Sequence, residues 1–191
     1  MPTNDHPDDF DPRSGGETRD PTSSPDVSVL GGQPGSWDRA DWQRIWLATQ
    51  SRDWRTLALV PASDEVSTIE FAHLITVIGL RQRGESIGVA DLRQVELPRA
   101  RAHLEMVKWH VSQGERIVIA LRSCLENLAT IPLARAADCA ILCVALGSTR
   151  IAQAEQTVEQ IGKERFLGSV LVRTTAEANG ARTKAPRRLR A

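Results

Sequence analysis

The sequence predicts an α/β domain, a doubly wound and mostly parallel five-stranded sheet. Three observations point to it. Short apolar runs recur at 57–61, 87–90, 117–121, 139–146 and 167–172. Between them, apolar residues recur at three- and four-residue spacing, the period of a helix packed on one side. The runs themselves do not alternate with polar residues, as befits strands covered on both faces. Strand, helix and strand in repetition imply right-handed crossovers between parallel strands.

Each element has its own justification. Ser36 is placed to cap a helix near 37–50, in which Trp42, Ile45, Trp46 and Thr49 share a face. The first strand, Leu57 to Pro61, precedes a helix from Val66 to Arg83, with Ile69, Ala72, Ile75, Val77 and Ile78 inward and Gly84 as its stop. Ile87 to Ala90 is the weakest strand. Pro98 opens a helix striped by Ala100, Leu104, Val107 and Val111 and closed at Gly114. Ile117 to Leu121 is followed by a helix over Leu125 to Ala137, then by the strand Cys139 to Leu146. Ile151, Ala154, Val158 and Ile161 form the last helical stripe before Leu167 to Val172. In such sheets ligands bind beyond the carboxyl ends of the strands, here Pro61–Ser67, Asp91–Arg93 and Arg122–Ser123.

Composition divides the 191-residue chain into three parts. Residues 1–36 are rich in Pro, Asp, Ser, Thr and Gly, and carry seven acids against two arginines. Residues 174–191 carry five bases and one acid. Both ends lack apolar periodicity and read as disordered, an acidic head and a basic tail. The domain between them, 37–173, holds 17 bases and 16 acids, a balance that argues against a dedicated nucleic-acid surface. No apolar run is long enough to span a bilayer as a helix, so no transmembrane segment is expected. The early aspartates Asp5, Asp8, Asp9 and Asp11 do not resemble a secretory signal, so the expected location is the cytoplasm, including its membrane periphery.

Cys139 and Cys143 are four apart on one strand face, and with Cys124 they read as buried thiols rather than a metal or redox pair. His103 and His110 are seven apart with no third ligand in view, which favours surface histidines over a metal pair. Four of the five tryptophans, Trp37, Trp42, Trp46 and Trp54, precede or border the first strand. They either cover the sheet or anchor a partner. No Ser-His-Asp arrangement is evident.

Several partial motifs follow this order of elements. The first strand leads into Pro61-Ala62-Ser63-Asp64-Glu65-Val66-Ser67-Thr68, the second into Asp91-Leu92-Arg93, and Ala137-Asp138 precedes the fourth. Over 37–173 the arrangement resembles the P-loop ATPase domain of the bacterial tyrosine kinases of capsule and exopolysaccharide export, and more distantly the partition ATPases. The resemblance implies a Rossmann-like P-loop NTPase fold. In that family a glycine-rich loop with Lys before the Ser/Thr pair cradles phosphate. Here Ser63, Asp64, Glu65, Val66, Ser67 and Thr68 form a vestigial loop with Val66 at the Lys position, no glycine, and Asp64 and Glu65 where phosphate would rest. Asp64 also has the spacing of a helix N-cap. In the vestigial second motif Val89 replaces one aspartate, while Asp91 and Arg93 remain and read as a surface ion pair. Ala120 falls near the Mg2+-holding aspartate, and Val172 where the family often has an asparagine at the base.

These substitutions imply a catalytically dead scaffold with no catalytic residue, no cofactor and no metal, acting in polysaccharide export or biosynthesis through a protein partner, a membrane export component included. Asp41, Arg44 and Leu47 occupy the Glu-x-x-Arg-x-x-Arg spacing of the family's ring-forming helix, with Leu47 in place of the last arginine; Asp41 and Arg44, with Trp42, Ile45 and Trp46 of the apolar face, are the expected partner-binding residues, and a homo-oligomer is left open. The chain has no tyrosine, so it lacks the tail cluster that the kinases phosphorylate. Two alternatives stand beside this reading: a divergent but active nucleotide-binding kinase or ATPase using ATP and Mg2+, and a partition-type protein binding DNA through its basic tail.

Overall fold

The computed structural model describes residues 40–172, with Ala40, Asp41 and Arg83 described by backbone alone. The expectations for Ser36, Trp37, the acidic head and the basic tail lie outside these residues. In chain order the elements are α1 (Ala40–Thr49), β1 (Thr56–Pro61), α2 (Thr68–Arg83), β2 (Ile87–Asp91), α3 (Ala100–Ser112), β3 (Arg116–Ala120), α4 (Thr130–Ala136), β4 (Cys139–Ala145), α5 (Ile151–Ile161) and β5 (Phe166–Val172). The five strands form one sheet in the order β2-β3-β1-β4-β5, and every neighbouring pair is parallel. The expected doubly wound sheet is therefore present, and it is wholly parallel.

The winding follows from this order. The chain steps from β1 to β2 in one direction and makes every later crossover in the other. Right-handed crossovers then put α2 on one face and α3, α4 and α5 on the opposite face. The two cores are consistent with that. Leu57 and Leu59 pack with Phe71, Ala72, Ile75 and Ile78 of α2 and with Trp46 of α1. Ala58 and Val60, one residue out of phase, pack with Val107 of α3, Leu133 of α4 and Ile161 of α5. The period-two alternation hidden in an all-apolar run thus serves two cores at once.

Three elements depart from expectation for identifiable reasons. The helix expected from Val66 starts at Thr68, with Ser67 as N-cap and no side-chain cap bond, so Asp64 is not its cap. The helix expected from Leu125 begins only at Thr130. Pro132 lacks an N–H and is tolerated only in a first turn. Upstream, Ser123 Oγ accepts from Leu125 N–H (3.3 Å) and Asn127 Oδ1 from Ala129 N–H (3.0 Å), local bonds that compete with a helix. The last apolar run, β5, is an edge strand rather than a buried one: Gly168, Ser169 and Leu171 are exposed. The expected stops hold, for Gly84 (φ 67°) and Gly114 (φ 90°) adopt left-handed conformations that favour glycine. Among the described residues no helix is long and apolar enough to cross a membrane.

Candidate functional site

The loop after β1 leads to α2 on one face of the sheet, and the loop after β3 leads towards α4 on the other. Between adjacent strands whose loops part in this way a crevice opens at the carboxyl edge, the place where doubly wound sheets hold ligands. The structure brings the loop Ser63–Thr68 and Arg122–Ser123 together there.

Asp64 reaches across this crevice. Its carboxylate accepts a charged bond from Arg122 Nε and another from the backbone N–H of Ser123 (3.1 Å). Val66 does not face the crevice; it is buried in the core shared with α2. Thr68 is fully buried, and its hydroxyl donates to the carbonyl of Leu121 (2.6 Å), tying the start of α2 to the end of β3. Ser63 and Thr149 share a hydrogen bond between hydroxyls (2.9 Å), and Thr149 Oγ1 also accepts from Ala145 N–H (2.9 Å). Glu65 and Ser67 are exposed. Apart from the local Ala145–Thr149 bond, every polar tie named here links one strand end to another.

Beside this cluster, Arg93 grips Asp91 by two bonds of 2.8 Å, from Nε and Nη2. This is the surface ion pair expected from the spacing. The Arg93 side-chain bond holds the Asp91 carboxyl below its ordinary range, against the opposing effect of partial burial. Asn127 Nδ2 donates to the carbonyl of Val95 (2.9 Å) and so fastens the loop after β2 to the loop after β3.

Asp138 has a different role, which the motif alone did not disclose. It lies at the opposite, amino edge of the sheet. Its Oδ2 accepts from Arg55 N–H (2.8 Å), Thr56 N–H (2.8 Å) and Thr56 Oγ1 (3.0 Å), clamping the start of β1 to the start of β4.

The tryptophans of the first helix turn inward. Trp46 is only 2% exposed and packs against α2 at Gly79, where its ring lies in the space a Cβ would need. Trp42 is half-buried with its ring 5.7 Å from Phe71, and Ile45 is partly buried against the same core. Trp54 is buried and donates from Nε1 to Thr49 O (3.0 Å). Arg44 is exposed, and the Asp41 side chain lies outside those described. The partner-binding role expected of this face is therefore left without an accessible Trp46: that side chain is spent on α2. Among the described tryptophans, Trp109, on α3, is the exposed one, at 60%.

The remaining candidates fall into place by burial. His110 pairs with Glu115 (3.0 Å), while His103 is half-buried with an unpartnered Nδ1, so only the former fits the expected surface role. Cys139 and Cys143 share one core face, and burial pushes both thiols up to about 12; burial also raises Cys124. Among the described residues no group of three or more His, Cys, Asp or Glu is gathered as a metal would require. The chain matches no protein-family model and no curated protein sequence.

Proposed function

We propose that this protein is a non-catalytic scaffold of P-loop ATPase type, a pseudoenzyme that works by binding a protein of a polysaccharide export or biosynthesis system. The observation that carries the first half is the Asp64 carboxylate bound to Arg122 and to Ser123 N–H across the switch-point crevice. A triphosphate entering there would meet a negative charge already holding the donors it needs. Ser67, directly after the lysine position and so where Mg2+ would be held, is exposed, while the adjoining Thr68 hydroxyl is buried and bonded to Leu121 O. Val66, at the lysine position, is in the core and supplies no charge. The residues present do not fit ATP with Mg2+. The pathway assignment rests on the resemblance over 37–173.

Calorimetric titration and thermal-shift measurement with millimolar ATP and Mg2+ test the reading. A ligand that binds only the folded state must raise apparent stability. The expected result is no saturable heat and no shift. A saturable shift in the unaltered chain would establish the alternative, a divergent nucleotide-binding ATPase.

A further inference from the structure

We propose that the groove between α3 and the end of α4, at the amino edge of the sheet, binds a small carboxylate with an apolar body, of the short-chain fatty acid type. The groove is the far end of the molecule from the switch-point crevice and owes nothing to it. One wall is Leu104, Val107 and Val111 of α3; the opposite wall is Ala136 and Ala137, and Ile119 of β3 also lines the space. The alanine methyl groups are too short to meet the larger side chains across from them. The result is a cavity of about 210 Å3. At roughly 30 Å3 per non-hydrogen atom, water's share of the liquid, that is room for about seven such atoms. A six-carbon chain fits it with the head group at the rim.

The rim determines the head group. Its charged residues are Arg55, Lys108 and Asp138. Asp138 keeps its charge, but its Oδ2 is turned to the neutral donors Arg55 N–H, Thr56 N–H and the Thr56 hydroxyl at the start of β1. Arg55 donates from Nη1 to a neutral carbonyl, Gly114 O (3.2 Å), and among the described residues no carboxylate pairs with its guanidinium. Lys108 pairs with Glu105 in a solvated contact, both side chains more than 60% exposed (66% and 62%). Exposed pairs of this kind contribute little and exchange readily. An apolar floor beneath two available cations selects an anionic amphiphile over a neutral one or a bare anion.

The neighbouring cavity, which shares Arg55, shows the contrast. It is lined by Asp53, Glu85, Ser86, Gly114 and Arg116. There Arg116 is engaged by Glu85 (2.6 Å) and lies 4.5 Å from the Trp54 ring centroid. That space has neither an apolar floor nor an unmatched cation beyond the shared arginine, so the α3–α4 groove is the one assigned.

The test is an amide NMR titration of the full chain with hexanoate, 1-hexanol and inorganic phosphate, each to about 10 mM, a range suited to so small a ligand. Hexanoate is expected to give saturable shifts centred on Thr56, Leu104 to Val111, Ile119 and Ala136 to Asp138, with hexanol and phosphate at least about tenfold weaker. Ala136→Phe fills the groove and is expected to abolish saturation. Lys108→Glu, at an exposed position that leaves the core untouched, is expected to weaken hexanoate about tenfold and to leave hexanol unchanged. The proposal is overturned if hexanoate causes no saturable shift, if its shifts scatter over the surface, if hexanol binds equally well, or if a folded Lys108→Glu retains full affinity.

Discussion

Trp46→Ala distinguishes a helix that completes its own core from one that offers its face to another chain. Trp46 is 2% exposed and belongs to the core cluster that includes Ile75, Ile78 and Ile87. Truncating a buried aromatic costs about 3–5 kcal/mol. At about 4 °C per kcal/mol for a domain of this size, the melting point should fall by about 12–20 °C. Leu47, on the same helix but 65% exposed, is the control: Leu47→Ala should change stability by less than about 0.5 kcal/mol. Gly79 supplies an independent check. A Cβ there would lie 2.6 Å from Ile87 Cδ1 and 2.8 Å from Trp46 Cη2. Gly79→Ala gains about 1 kcal/mol of helix propensity but overpacks by about 1–3 kcal/mol, so the net effect is destabilising. In the double variant the Trp46 half of that clash is gone, and the two costs should fall short of their sum by about 1 kcal/mol. Urea denaturation measures all four values. A Trp46→Ala protein within about 1 kcal/mol of the parent would refute the intramolecular role, and loss of self-association in that folded variant would return the helix to an interface.

Two further outcomes follow from the titrating groups. Burial pushes the Cys139 and Cys143 thiols up to about 12, so neither should react with a thiol reagent at about pH 8 while the protein is folded, and labelling should track unfolding; fast native-state labelling of either would contradict the packing. Arg93 holds the Asp91 carboxyl below its usual 3.8, so the pair's contribution is present at neutral pH and is lost as the pH falls through that lowered value. Asp91→Asn should therefore cost stability at about pH 7 and nothing at about pH 2; the loss should be small, because the carboxylate is 43% exposed. Urea midpoints at the two pH values check this, and an equal loss at both would remove the ion pair as its cause.

The periodicity of the chain made most of the fold legible because the strands are short, apolar and separated by striped helices. Gly84 and Gly114 marked helix ends correctly, since only glycine takes those positive φ values without strain. The order β2-β3-β1-β4-β5 was not legible, because single-sequence periodicity carries no information about which strands pair. The error at α4 was a failure to weigh Pro132 and Asn127 against an apolar stripe. The error at β5 has another origin: Phe166 to Val172 has the composition of a buried strand but lies at an edge, where its exposure depends on what the rest of the chain does not cover. Asp138 stands at a motif position, yet its partner Thr56 is 82 residues away, and no local spacing announces a clamp of that range.

The crevice shows how a few side chains decide what a strand-end backbone can accept. Ser123 N–H is a donor of the kind an anion at a switch point would take, and Asp64 takes it from within the chain at 3.1 Å. An external anion must first displace that carboxylate. The Arg122 side chain is 44% exposed, so that ion pair contributes only about 0–1 kcal/mol, whereas the Ser123 N–H bond to the carboxylate contributes about 1.5–3 kcal/mol. Losing the latter without replacement lowers affinity by about 10- to 100-fold. The displaced carboxylate remains tethered nearby and repels the incoming charge, while the crevice offers no lysine in return, because Val66 is in the core. The same bond that disfavours a nucleotide joins the loop after β1 to the loop after β3, so it holds the two strand ends together without any ligand between them. Under the scaffold function proposed above, that arrangement supplies a carboxyl edge whose shape does not depend on occupancy.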